Sequence, residues 1–202
     1  MRAAEQDEAT IAQARQEWRA ELEAISPERL VFLDESATLT NMVRTHARSP
    51  RGTRAYGTIP CSHWTRLTVL GALGTEGILA AMSIEAATDA DVFRAFLDQV
   101  LLPALRQHKP DAVLVMDNLS AHKAKIVRQF LDRSEFSYRY LPSYSPDLNP
   151  IEPAWAKMKG RLREVAARTA DALHEALGPA LDAVKPQDAQ GFFRHAVYTR
   201  PN

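Results

Sequence analysis

Between Leu141 and Lys159 the chain reads LPSYSPDLNPIEPAWAKMK, with prolines at 142, 146, 150 and 153. Each proline fixes φ at about −65° and removes a backbone donor, so residues 141–149 are barred from helix and central strand and must form a defined, turning loop. A helix is predicted directly behind it. Asn149 has the side chain of an N-cap, Pro150 suits the first helical position, and Glu152 falls at the third, where a carboxylate meets free N–H groups and the positive end of the helix dipole. Capping alone accounts for a solitary Glu there. A further role for Glu152 depends on what the rest of the chain brings near it.

Two other stretches end in an acid. RLVFLD (29–34) and AVLVMD (112–117) are short, nearly continuous apolar runs of the kind that form buried central strands, each closed by an aspartate. A carboxylate at the C-terminal end of such a strand stands at the rim of a sheet, where the sites of α/β folds gather. Arg66–Leu73 and Ile78–Ile84 flank Gly74-Thr75-Glu76-Gly77 and predict a hairpin pairing beside the first strand. Helical periodicity marks about 5–25, 90–108, a segment through Ile126 and Leu131, 150–165, 167–184 and 188–197, and FSYRYL (136–141) alternates as a strand. This order predicts a mixed α/β sandwich on one central sheet, with residues 1–27 as a leading helix or linker and 28–202 as the domain.

Composition removes several function classes. Lys plus Arg and Asp plus Glu are 25 each, so no global basic field announces a nucleic-acid partner and only local patches can argue for one. A single cysteine, Cys61, excludes an internal disulfide or multi-cysteine metal site. The most apolar windows are too short to cross a bilayer, and the first residues lack an apolar signal core, so a cytoplasmic protein without a membrane partner is expected. Two local basic patches stand out. Residues 41–64 carry Arg44, Arg48, Arg51 and Arg54 with no acid, and Lys157, Lys159, Arg161 and Arg163 alternate along the last motif. Either could touch phosphates, and either could be a solvated surface.

If the two apolar strands are neighbours, Asp34 and Asp117 meet at one rim, where like charges need a shared proton or bound cations. Oxygen donors without a His or Cys cluster favour Mg²⁺ or Mn²⁺. Two such ions about 4 Å apart can activate a nucleophile and stabilise the leaving oxygen of a phosphodiester.

The set FLDES (32–36), VMDNLSAHK (115–123) and SYSPDLNPIEPAWAKMK (143–159) resembles the catalytic domain of DDE transposases of the mariner-like superfamily and its bacterial insertion-sequence relatives. Glu152 follows Asp117 by 35 positions, similar to that group's spacing. The resemblance spans about 30–168 and implies a ribonuclease H-like fold with Asp34, Asp117 and Glu152 as catalytic, metal-binding acids, DNA cleavage followed by strand transfer, a dimer on DNA and insertion at TA. Glu rather than Asp at the third position points to the insertion-sequence branch. Asn118 and His122 follow the second acid in the family's manner and orient it or approach DNA; His122 equally suits a plain helix surface, and Glu35 supports the site or is merely exposed. Trp155 reads as core. Fewer than 30 residues precede the first strand, where full-length members carry helix-turn-helix modules, so the chain is expected to be a catalytic domain alone, partnered by an upstream helix-turn-helix chain. Rival readings are a non-catalytic remnant that binds DNA or a full-length transposase, and another ribonuclease H-like nuclease.

Overall fold

The computed structural model describes residues 4–61 and 63–198. Its centre is a five-stranded mixed sheet in the order β3-β2-β1-β4-β5, built from β1 (Leu30–Leu39), β2 (Arg66–Gly74), β3 (Gly77–Ile84), β4 (Val113–Met116) and β5 (Ser137–Tyr140). The hairpin β2–β3 and the β1–β2 pair are antiparallel, whereas β1, β4 and β5 run parallel. The two apolar runs are therefore neighbours, with Leu33 opposite Met116. β1 is longer than its apolar run implies. Its polar half continues because β2 supplies partners as far as Leu39, opposite Arg66.

Alternation along β1 divides the core. Phe32 faces a cluster that includes Trp18, Leu22, Trp155, Met158, Leu162, Leu177 and Phe193, under α1 (Ala9–Glu23), α5 (Ile151–Val165), α6 (Ala170–Leu181) and α7 (Pro186–His195). Val31 and Leu33 face Phe93, Phe96, Leu101, Leu105 and Val127, under α2 (Ala90–Phe96), α3 (Leu102–His108) and α4 (Lys125–Asp132). Asp89 caps α2 by accepting from Val92 N–H at 2.9 Å. Between α2 and α3 a π-helical turn, Leu97–Leu101, precedes Pro103. Proline lacks the N–H for the α-helical ladder, and the wider turn absorbs that loss without ending the helix. Among the described residues no helix is long and apolar enough to cross a membrane.

The leading helix is latched onto the proline-rich loop. Gln6 Nε2 donates to Tyr144 O (2.6 Å), and Arg15 donates to Ser145 Oγ (2.6 Å) and to both carboxylate oxygens of Asp147 (3.0 and 2.6 Å). Deeper down, Trp18 Nε1 donates to Tyr198 OH, which donates to Leu148 O. Tyr144 is held at φ 54°, a left-handed conformation unusual for a side-chain-bearing residue. The Arg15 guanidinium, with burial working against it, holds the Asp147 carboxyl below its ordinary range. A folded-state value below the unfolded one gives stability that is present above the unfolded value of 3.8 and lost as pH falls through the folded one. Because Asp147 is half exposed, solvent screening limits the pair to about 0.5–1 kcal/mol. Urea midpoints measured from neutral to acid pH should accordingly fall less steeply for Asp147→Asn than for the wild type, with the two curves converging at low pH.

Candidate active site

Asp34 and Asp117 come one residue after the Leu33–Met116 pair, so parallel pairing alone sets them at the same rim of the sheet. Glu152 reaches that rim from the first turn of α5. It lines, with Asp117, Asn118, Leu141 and Tyr144, a cleft of about 460 Å³. Glu152 is exposed, and its carboxylate makes no hydrogen bond or ion pair to any described residue. The expected N-cap is not observed. Pro150, at φ −68° and ψ −10°, already has helical geometry and takes the cap position, while Asn149 is extended and its Oδ1 is buried without a partner. Asn149 contributes its carbonyl, which accepts Glu152 N–H at 3.2 Å.

The three acids are not equivalent. Asp34, on the Phe32 face of β1, accepts from Trp155 Nε1 at 3.1 Å. Burial, then the negative charge of Glu152, push its carboxyl up to about 7, with Glu35 and Asp117 adding to the rise and a backbone N–H opposing it. The indole reaches Asp34 because the residue opposite Asp34 in the register is Gly71. A Cβ on Gly71 would lie 2.4 Å from Trp155 Cη2. Trp155 is thus both core, as expected, and a donor to the first acid. A glycine inside the apolar run RLTVLGALG was the signal for this close approach.

Asp117 has different company. His122 is fully buried against the Phe93 ring at 4.1 Å, with Nε2 3.0 Å from Glu35 Oε1 and Nδ1 2.7 Å from Asp117 Oδ1. The Nδ1 contact lies off the N–H axis and is an ion-pair contact rather than a hydrogen bond. Burial works against the imidazolium, but the two carboxylates prevail and push His122 up to about 9. Burial alone would raise Asp117. Contact with His122, the Leu119 N–H at 2.9 Å and the Lys123 charge instead hold it below its usual range. His122 is therefore no surface residue, and Glu35, on the Leu33 face, is drawn to it rather than to solvent. Asn118 Nδ2 donates to Leu141 O at 2.5 Å, tying the end of β4 to the start of the proline-rich loop.

The four cations of the last motif separate. Lys157 pairs with Asp188 (2.5 Å) and Arg161 with Glu164 (2.9 Å). Lys159 faces the acids: burial depresses its ammonium, Glu152 opposes that, Arg163 adds to it and Asp34 opposes it. Only Lys159 and Arg163 remain without a carboxylate bound directly to them among the described residues.

The donor set suits a hard cation. All three acids offer oxygen, and the Asp34 carboxyl, raised by burial and then by Glu152, has no cation bound directly to it. As the side chains stand, no three His, Cys, Asp or Glu among the described residues close around one point.

A family model described as DDE superfamily endonuclease matches residues 29–174. The Tc1 transposase of Caenorhabditis elegans is 38% identical over 72 residues, which is 36% of this chain and 26% of that protein. In the Mos1 transposase paired-end complex with left transposon end, the chain fits at TM-score 0.79 with 17% identity, covering 97% of this chain and 61% of that one. The catalytic domain of Mos1 mariner transposase gives TM-score 0.72 and 16% identity over 95% and 91%. Mos1 structures also include the catalytic domain with Raltegravir and Mg, and the paired-end complex with Mn. These likenesses establish the fold as ribonuclease H-like. The chain spans about a quarter of the Tc1 protein and about three fifths of the longer Mos1 chain. From the Gly71 contact, Gly71→Ala should drive a rigid buried ring out of place and cost about 1–3 kcal/mol, read as a lower urea midpoint together with altered tryptophan fluorescence.

Proposed function

The chain belongs to the DDE superfamily endonuclease family, and from that premise we propose that it is the catalytic domain of a transposase that cuts and joins DNA strands with a divalent metal. The observation carrying this reading is the convergence of Asp34, Asp117 and Glu152 on one rim, with the Asp34 carboxyl raised by burial and by Glu152. Asp34, Asp117 and Glu152 would hold Mg²⁺ or Mn²⁺, two ions in this reading. Bound there, the metal supplies Lewis-acid activation of the attacking oxygen and stabilisation of the leaving one.

The chain's own residues prepare the site. Trp155 fixes one oxygen of Asp34, His122 holds Asp117 in place with Glu35 behind it, and Asn118 anchors the loop leading to Glu152. In the proposed reaction water attacks phosphorus and the P–O3′ bond breaks, freeing a 3′ hydroxyl. That hydroxyl then attacks a target phosphodiester and displaces its 3′ oxygen, so no covalent enzyme intermediate forms. The substrates are transposon ends and target DNA, with insertion at TA, on a homodimer and with a helix-turn-helix partner recognising the ends. Residues 28–202 form the catalytic unit in this reading, and the leading helix packs on its edge rather than acting as a free linker, as its latch to residues 144–148 supports. Glu at 152 supports the insertion-sequence branch, and with it a place in the bacterial cytoplasm at the nucleoid.

The test is Mn²⁺- or Mg²⁺-dependent nicking and strand transfer. Asp117→Asn should lose more than the 10–100-fold typical of residues that only support a metal ligand, about 100-fold at least. Equal activity in both proteins would sink the triad. Metal binding without any cleavage, even with an upstream partner chain supplied, would favour the binding-only alternative.

A further inference from the structure

The latch on the proline-rich loop gathers on one side chain. Arg15, Trp18 and Leu22 are spaced by three and four residues and share one face of α1. Trp18 and Leu22 are buried in the core, which docks the helix and presents Arg15 to the loop. The Arg15 side chain is only 12% exposed, and its guanidinium reaches Ser145 Oγ and both carboxylate oxygens of Asp147. Ser145 Oγ in turn donates to Ser143 O (3.0 Å). A series of backbone bonds continues from these anchors: Leu148 N–H donates to Ser145 O (3.0 Å), Asn149 N–H to Pro146 O (3.0 Å) and Glu152 N–H to Asn149 O (3.2 Å). Each bond fixes one residue on the one before it, from the clamp to the first turn of α5. At its other end the loop is tied to β4, where Leu141 N–H donates to Met116 O and Asn118 Nδ2 to Leu141 O.

We propose that Arg15 is a positioning residue for Glu152, a role that rests on the function proposed above. The Glu152 carboxylate is bonded to no described residue, so its reach depends on the backbone beneath it. That backbone starts at a proline cap without an N–H, and the Glu152 N–H is bonded to the Asn149 carbonyl. Leu148 and Ile151 are buried and hold the apolar side of this junction to the core. On its half-exposed side, ahead of α5, the regular structure is a single short 3-10 turn, Pro146–Leu148. Asp147 lies in that turn, and Arg15 grips it with a two-pronged planar contact that fixes direction as well as distance. The same loop forms, with Asp117 and Asn118, the wall of the cleft that Glu152 lines. Releasing Arg15 loosens this wall and the mouth of α5 together, while strand pairing keeps Asp34 and Asp117 where they are. Arg15 bonds to none of the three acids and acts on the site through the loop alone.

The test pairs amide hydrogen exchange of the metal-free chain with calorimetric titration of Mn²⁺ and with Mn²⁺-dependent nicking. Arg15→Ala should speed exchange of the Leu148, Asn149 and Glu152 amides about tenfold, the loss expected for a charge-assisted bond, and leave the β4 amides as in the wild type. It should also weaken Mn²⁺ binding, and raise the Mn²⁺ concentration for half-maximal nicking, by about 10–100-fold, as is typical of groups that act through a metal ligand. Arg15→Lys keeps the charge but not the fork and should recover only part of the loss. Glu21→Ala, which removes the partner of Arg139 from the same helix, should change none of these readings. Should Arg15→Ala melt early, Asp147→Asn opens the clamp from its exposed side and should show the same pattern. A folded Arg15→Ala variant with wild-type exchange overturns the proposal, as does one with faster exchange but wild-type Mn²⁺ affinity. Equal effects of Glu21→Ala and Arg15→Ala also overturn it, since docking of α1 as a whole would then be the cause. The two readings fail separately. Faster exchange in the variant of a chain that neither binds Mn²⁺ nor cuts DNA keeps Arg15 as the brace of Glu152 and removes the metal-dependent nuclease; a wild type that binds and cuts, with a variant identical to it, does the reverse.

Discussion

Like charge at a sheet rim governs this fold. Once Leu33 pairs with Met116, the next residue on each strand is an aspartate, and Glu152 brings a third carboxylate toward them from α5. Mutual repulsion in a partly buried setting would drive the rim apart or protonate it. The protein answers on two sides. On the Leu33 face a buried imidazolium between Glu35 and Asp117 turns two of the anions into a compact three-member cluster. On the Phe32 face the side chain bound to Asp34 is a neutral indole donor, and no cation contacts its carboxylate directly. The asymmetry leaves Asp117 held below its ordinary range and Asp34 raised above its own.

How far this could be read from the chain depends on whether a feature is written in consecutive residues. The apolar runs closing in Asp34 and Asp117, the glycine-bracketed hairpin and the proline-rich entry to α5 are local patterns, and each reappears in the fold. Contacts between distant elements carry no such mark. The polar half of β1 looked like the end of a strand because its partners lie about 30 residues on. Asn149 has a capping side chain, yet the fixed geometry of Pro150 takes over the start of the helix and strands the amide. Lys157, Lys159, Arg161 and Arg163 look alike in one dimension, and only Asp188 and Glu164 tell them apart. His122 was readable as a surface residue until Phe93 and Glu35 closed over it.

The proline-rich loop gains its definition from two sources. Its prolines reduce the conformations available to the unfolded chain, while Gln6, just ahead of α1, and Arg15 of α1 hold its far side by side-chain bonds to Tyr144, Ser145 and Asp147. Tyr144 keeps its left-handed conformation inside this frame, where its own carbonyl is the anchor for Gln6. Glu152 thus stands on a support fixed at both ends while its carboxylate remains free.

Gly71 and Trp155 lie 84 positions apart in sequence, yet they share one volume beneath Asp34. Neither can be inherited independently of the other. A lineage that enlarged residue 71 would have to shrink the ring at 155 and find Asp34 another donor, passing through an intermediate that loses on one count or the other. Evolutionary change at these three positions should therefore proceed as linked steps, and paired substitutions at 71 and 155 would reveal how relatives rebuild the first acid.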